Sequence, residues 1–255
     1  MMLQIHQFPC LSDNYGFLIH DPATGATAAI DTPDADEILA QADARGWRIT
    51  DIWNTHWHPD HAGGNAKIVE TTGAKVTGPA EVERIGKAPD LVVDDGDTVR
   101  LGGAQAQVLN VGGHTLGHIA YVFDADKVAF VGDALFSMGC GRLFEGTPQQ
   151  MWASLSKIAA LPRDTTLYCA HEYTEANARF AIYYDPTNRD LQTRVAEVKA
   201  LRAADKPTVP MTLDLELKTN PFLRAPLLKR SIMKPDASDV EAFAELRRRK
   251  DEFKG

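Results

Sequence analysis

Eight short apolar runs punctuate the first 170 residues: "YGFLIHD", "ATAAID", "ITDIWNTH", "AKVTG", "AQAQVLNV", "HIAYVFDA", "KVAFVGD" and "TTLYCAHE". Gly, Pro, Asp or Asn bounds each one, and apolar or β-branched runs between turn-forming residues predict strands. Two stretches carry a helical period instead. "DADEILAQADARG" sets Ile38, Leu39 and Ala42 on one side and ends on Gly. "TPQQMWASLSKIAALP" spaces Met151, Leu155, Ile158 and Ala159 as a helix does, behind Thr147 as a cap and Pro148 in the first turn. Strands interleaved with helices predict a layered α/β fold. After residue 174 the pattern turns helical. Leu191, Val195, Val198 and Arg202 share a stripe in "NRDLQTRVAEVKALRA", and "SDVEAFAELRRRKDEF" opens with Ser238 and Glu241 at capping-box spacing. A layered domain over residues 1–172 and a helical one over 173–255 are expected.

Composition narrows the function classes. The chain has 255 residues, 44% hydrophobic and 24% charged, as an ordinary globular protein does. A net charge of −8 argues against nucleic acid, which needs a basic surface. The opening "MMLQIHQFPCLSDNYGFLIH" has Gln4, His6, Gln7 and Asp13 where a signal peptide needs an apolar run, and no segment reaches the ~18 apolar residues of a membrane span. Cys10, Cys140 and Cys169 are odd in number and far apart, which suits a reducing cytoplasm better than a disulfide framework.

The chemistry concentrates in "NTHWHPDHAGGN". His56 and His58, two apart at a strand's end, point to one side, and Pro59 then turns the chain so that Asp60 and His61 open an expected helix, "DHAGGNAKIVETTG". Surface polarity alone explains a lone His, but three of the chain's eight His fall in this one window. Further candidates close other runs: His114 in "VGGHTLGH", Asp133 in "FVGDALF" and His171 in "LYCAHEYT". Five imidazoles and two carboxylates exceed the needs of one ion. Two ions ~3.5–4 Å apart, sharing a bridging carboxylate, would use them all.

His56-Trp57-His58-Pro59-Asp60-His61 resembles the THxHxDH signature of the metallo-β-lactamase fold superfamily. With "GGHTLGH", "GDALF" and "CAHEYT" in order, and with "SDNYGFLI", "GCGRLFEG" and "TNPFLR", the chain is similar nearly end to end to the glyoxalase II (hydroxyacylglutathione hydrolase) family. The resemblance implies an αββα sandwich followed by a helical domain that closes over the substrate. It implies two divalent ions per chain: zinc, with iron or manganese also used in the family. His56, His58 and His114 would hold the first ion, Asp60, His61 and His171 the second, and Asp133 would bridge them together with a water. Asp31 and His118 match positions that orient ligands, although His118 also reads as a buried His that ties down a turn.

The implied reaction is hydrolysis of S-D-lactoylglutathione and related thioesters to D-lactate and glutathione, the second step of methylglyoxal detoxification. The nucleophile would be a metal-bridging hydroxide held by Asp133. A thiol with a pKa near ~8.5 leaves without a strong general acid. No GxSxG elbow is present, so no covalent acyl-enzyme is expected.

Val240, Phe243, Arg247, Lys250 and Phe253 form one stripe at the chain's end. By themselves Arg247 and Lys250 read either as a solvated helix end or as a grip on a carboxylate. The resemblance assigns them to glutathione, with Arg142 and Tyr173. It also places Phe144 where a Tyr hydroxyl commonly contacts glutathione, a loss of ~0.5–1.5 kcal/mol in binding. A monomer acting on a small-molecule thioester, touching neither nucleic acid nor membrane, is expected. The alternatives are a mononuclear-iron glutathione persulfide dioxygenase of the same fold and a metal-binding scaffold without activity.

Overall fold

The computed structural model describes residues 3–233 and 236–255. The chain forms two compact units. One comprises Met1–Asn110 with Gly117–Gly132, the other Val111–Leu116 with Asp133–Gly255. Among the described residues no helix is long and apolar enough to cross a membrane.

In the first unit, β1 (Gln4–Cys10), β2 (Asn14–His20), β3 (Thr27–Ile30), β4 (Asp51–Trp53), β5 (Lys75–Gly78) and β6 (Leu91–Val92) lie side by side in chain order. Pairing is antiparallel from β1 to β3 and parallel from β3 to β6. β7 (Thr98–Leu101), β8 (Ala104–Asn110), β9 (Ile119–Phe123) and β10 (Val128–Gly132) form an antiparallel meander. Alternation along the strands builds two cores. Trp53 stacks on Phe123 at 5.8 Å and Phe17 meets Phe130 at 5.5 Å, which joins the inner faces of the two sheets. The neighbours Leu18 and Ile52 face the other way. They pack with Ile38 and Ala42 of α1 (Ala35–Ala44) and with Ile68 farther along the chain.

The eight predicted runs all contain strands. β1 is an addition that Gln4, His6 and Gln7 conceal. Among the described residues it pairs only with β2, and such an edge strand tolerates Pro9. The expected helix "DHAGGNAKIVETTG" is corrected. It is two short helices, α2 (Pro59–Ala62) and α3 (Asn65–Thr72), broken at Gly63 and Gly64. The break follows a diverted hydrogen bond, and its closeness requires Gly. The Gly64 N–H donates to the Thr32 carbonyl at 2.9 Å, and a Cβ on Gly64 would lie 2.7 Å from that oxygen.

The second unit begins with a two-stranded hairpin, β11 (Leu135–Phe136) and β12 (Gly139–Cys140). Then come α4 (Pro148–Ala159), β13 (Thr166–Cys169), α5 (Thr174–Tyr184), α6 (Arg189–Ala203), β14 (Met211–Thr212), α7 (Leu213–Thr219), α8 (Ala225–Ile232) and α9 (Asp239–Glu252). Thr147 with Gln150 and Ser238 with Glu241 form complete capping boxes at α4 and α9. Trp152 of α4 packs on Phe243 of α9 at 5.9 Å. Leu191 and Val198 of α6 are buried with Met138, Ala178 and Ala181.

Candidate metal centre

The seven ligand positions fall in two clusters, one in each unit. In the first, His56 and His58 follow the end of β4, and Asp60 and His61 lie on α2. Side chains behind the imidazoles settle their tautomers. Thr55 Oγ1 donates to Asp31 Oδ2 at 2.8 Å, so its contact with His56 Nδ1 at 3.0 Å is one it accepts. His61 Nδ1 donates to the same Asp31 oxygen at 2.8 Å. Both rings thereby present Nε2 lone pairs as donor atoms, the arrangement in which an outer partner fixes a metal-binding imidazole. Asp31 is buried in a left-handed conformation at φ +57 and also accepts the Thr55 N–H at 2.7 Å.

His56 Nε2 lies 3.1 Å from His58 Nδ1, and Asp60 Oδ2 lies 3.6 Å from His61 Nε2. Asn14 Nδ2 donates to that Asp60 oxygen at 3.2 Å. His118 is fully buried and stacks on His56, with ring centres 4.6 Å apart. Asp31, His56 and His61 together offer a compact set of donor atoms.

In the second unit Asp133 follows β10 and is almost fully buried. Its two oxygens face different imidazoles, Oδ2 toward His114 Nε2 and Oδ1 toward His171 Nε2, each at 3.4 Å. His114 Nδ1 donates to the Arg142 carbonyl at 2.9 Å, which again leaves Nε2 as the donor atom. Two ligands 2.0–2.1 Å from one tetrahedral ion are about 3.3 Å apart. The observed separations within each cluster, 3.1 to 3.6 Å, fit that requirement. Nitrogen and carboxylate oxygen donors suit zinc, iron or manganese.

Two aromatic rings flank the second cluster. Phe144 meets His114 edge-on at 5.1 Å, and Tyr173 stacks on His171 at 4.7 Å. Both keep an exposed face, 62% for Phe144 and 38% for Tyr173. Arg247 of α9 is buried. Its Nη1 donates to the Cys140 carbonyl at 2.8 Å, its Nη2 to Asp251 at 2.8 Å, and its guanidinium lies over Phe222. Lys250 Nζ donates to the Ala176 carbonyl at 3.0 Å. Burial first, then the charges of Arg247, Arg179 and Arg142, lower its pKa to about 8. Arg142 is exposed, with Nε 3.8 Å from Asp251.

Sequence reasoning missed the groups that orient the ligands: Thr55, Asn14 and the Arg142 carbonyl. Thr55 sits inside the quoted "NTH", and its hydroxyl beside a ligand was the available signal. A backbone carbonyl leaves no trace in residue identity.

Residues 16–171 match the metallo-beta-lactamase superfamily, and residues 172–253 match the hydroxyacylglutathione hydrolase C-terminus family. The hydroxyacylglutathione hydrolase of Erythrobacter litoralis is 60% identical over 254 residues, covering 99% of this chain and 100% of that one. That of Hyphomonas neptunium is 56% identical over 255 residues, covering 99% of each. Among solved structures, ETHE1 from Myxococcus xanthus is similar with a TM-score of 0.69 and 25% identity, over 97% of this chain and 90% of that one.

Proposed function

The chain belongs to the hydroxyacylglutathione hydrolases, thioester hydrolases of the metallo-β-lactamase superfamily, and on that premise we propose that it hydrolyses S-D-lactoylglutathione and related glutathione thioesters to a 2-hydroxy acid and glutathione. The fold is the αββα sandwich with a C-terminal helical domain, as the sequence motifs implied. The persulfide dioxygenase and scaffold alternatives give way, because full-length relatives at 50–60% identity carry the hydrolase name.

The observation that carries the catalytic reading is Asp133. Its carboxylate, with an imidazole nitrogen 3.4 Å from each oxygen, would hold divalent cations together with His114 and His171. His56, His58 and His114 would hold one ion, with Asp60, His61 and His171 on the other. Bound there, divalent ions, zinc first, supply Lewis acidity and lower the pKa of water. Asp31, Thr55 and the Arg142 carbonyl keep the imidazole Nδ1 protons away from that chemistry.

The leaving thiolate needs no proton from the chain. With no GxSxG elbow in the sequence, no Ser or Cys is assigned a nucleophilic role. Arg247 and Lys250 are proposed to take a glutathione carboxylate, with Arg142, Tyr173 and Phe144 beside them. On this reading residues 1–172 would carry the ions and supply Arg142 and Phe144, and a helical domain over residues 173–255 would supply the other substrate contacts. A monomer working in the cytoplasm on the lactoyl thioester that arises in methylglyoxal detoxification fits this reading.

The test is hydrolysis of S-D-lactoylglutathione by protein of measured metal content, with and without a chelator. Two ions per chain and chelator-sensitive turnover are expected. A metal-loaded protein inactive on glutathione thioesters would refute the proposal.

A further inference from the structure

The β11–β12 hairpin stands in sequence between Asp133 and Arg142, and side chains from α5 and α7 hold its backbone. Glu216 of α7 accepts from the Met138 N–H at 2.7 Å and from Ser137 Oγ at 3.2 Å. Asn220, one turn on, donates to the Phe136 and Gly139 carbonyls at 3.1 and 2.9 Å and to Glu216 at 3.0 Å. Asn177 of α5 donates to the Ser137 carbonyl at 3.1 Å. Glu216 and Asn220 are fully buried. Met138 is left-handed at φ +53, and a Cβ on Gly139 would lie 2.3 Å from Asn177 Nδ2. The hairpin therefore fits this clamp in one conformation.

What leaves the hairpin reaches both halves of the proposed chemistry. The Gly141 N–H donates to the Ala134 carbonyl, next to Asp133, at 3.3 Å. The Arg142 carbonyl fixes His114 Nδ1, and the Cys140 carbonyl takes the Arg247 guanidinium. A displaced hairpin would move Asp133, the His114 partner and the Arg247 partner together. Burial raises the Glu216 pKa to about 7 against the pull of its donors and of Arg194. The hydrogen bonds from Met138, Asn220 and Ser137 offset part of that desolvation.

We infer that Glu216, together with Asn220, is a positioning residue for the metal ligands Asp133 and His114 and for the substrate contact Arg247, through the hairpin it clamps. The inference rests on the functional reading above, yet its decisive readout needs no substrate. Glu216→Gln keeps the volume but removes the charge and leaves one oxygen for three donors: with that oxygen on the Met138 N–H and Asn220, the new N–H faces Ser137 Oγ, whose own proton then loses its acceptor. Holoenzyme is mixed with a chromophoric chelator and the rate of metal release is followed. Ile38→Val, in the first unit's core, serves as the destabilised control.

Release about tenfold faster from Glu216→Gln, the scale seen when partners behind metal ligands are lost, is expected. Ile38→Val should release at the wild-type rate. The variant should also raise KM and lower kcat together. Release from Glu216→Gln no faster than from Ile38→Val overturns the inference. If circular dichroism shows Glu216→Gln unfolded, Ser137→Ala, which removes a single donor, decides instead. Severalfold faster release supports the clamp and the wild-type rate overturns it. A metal-loaded wild type that spares thioesters would refute the function and leave the clamp standing.

Discussion

Lys250 is a cation among cations. With burial and the charges of Arg247, Arg179 and Arg142 lowering its pKa to about 8, it is protonated below that pH and neutral above it. If it grips a substrate carboxylate, KM rises as pH climbs through 8. Lys250→Ala should show a high KM that no longer changes there, with kcat little altered; initial-rate profiles from pH 6.5 to 9 check this. Lys250 gives the cleaner test than Arg247. Removing Arg247 also strands the buried Cys140 carbonyl, at about 1–3 kcal/mol of stability.

Asp31→Asn makes a second residue-level prediction. Asn tolerates φ +57 and can still accept from Thr55, but it loses the charge opposite His61 Nδ1. Metal affinity should fall ~10–100-fold, measured by competition with a chelator. The ligand candidates were legible because histidines crowd one window and others end apolar runs. Glu216 was not legible. In "LELKTN" it has the look of a solvated helix residue, and only the distant hairpin explains its burial.

At the scale of elements, the best-read segments were those whose local chemistry agrees with their period. The Thr147 cap of α4 and the capping box of α9 were both read in the sequence and both form. The hairpin strands are two residues each, too short for any periodicity, and β1 hides its strand behind polar residues. The split of α2 from α3 depends on Thr32, thirty-two positions before Gly64, whose carbonyl no local pattern reveals. Gly64→Ala drives a methyl against that oxygen. It should cost about 1–3 kcal/mol in urea unfolding and should also weaken metal binding, since α2 carries Asp60 and His61.

At the scale of the whole molecule, a chain of net charge −8 is proposed to bind an anionic thioester, and the buried and half-buried cations of α9 answer that mismatch locally. Ions bound only by the folded chain add RT ln(1 + [L]/Kd) to stability. Chelator should therefore lower the melting temperature of the holoprotein, and restored zinc should recover it, followed by calorimetry.

The three cysteines bear on a different hazard. Cys10, Cys140 and Cys169 are all buried, and burial lifts their thiols, Cys10 to about 12 and Cys140 to about 11. Only thiolates exchange with disulfides. Native protein incubated with a disulfide reagent or with oxidised glutathione should show almost no labelling, and denatured protein should show three thiols per chain. An enzyme that releases glutathione at every turnover, as proposed for this chain, would in this way be insulated from the redox state of its own product.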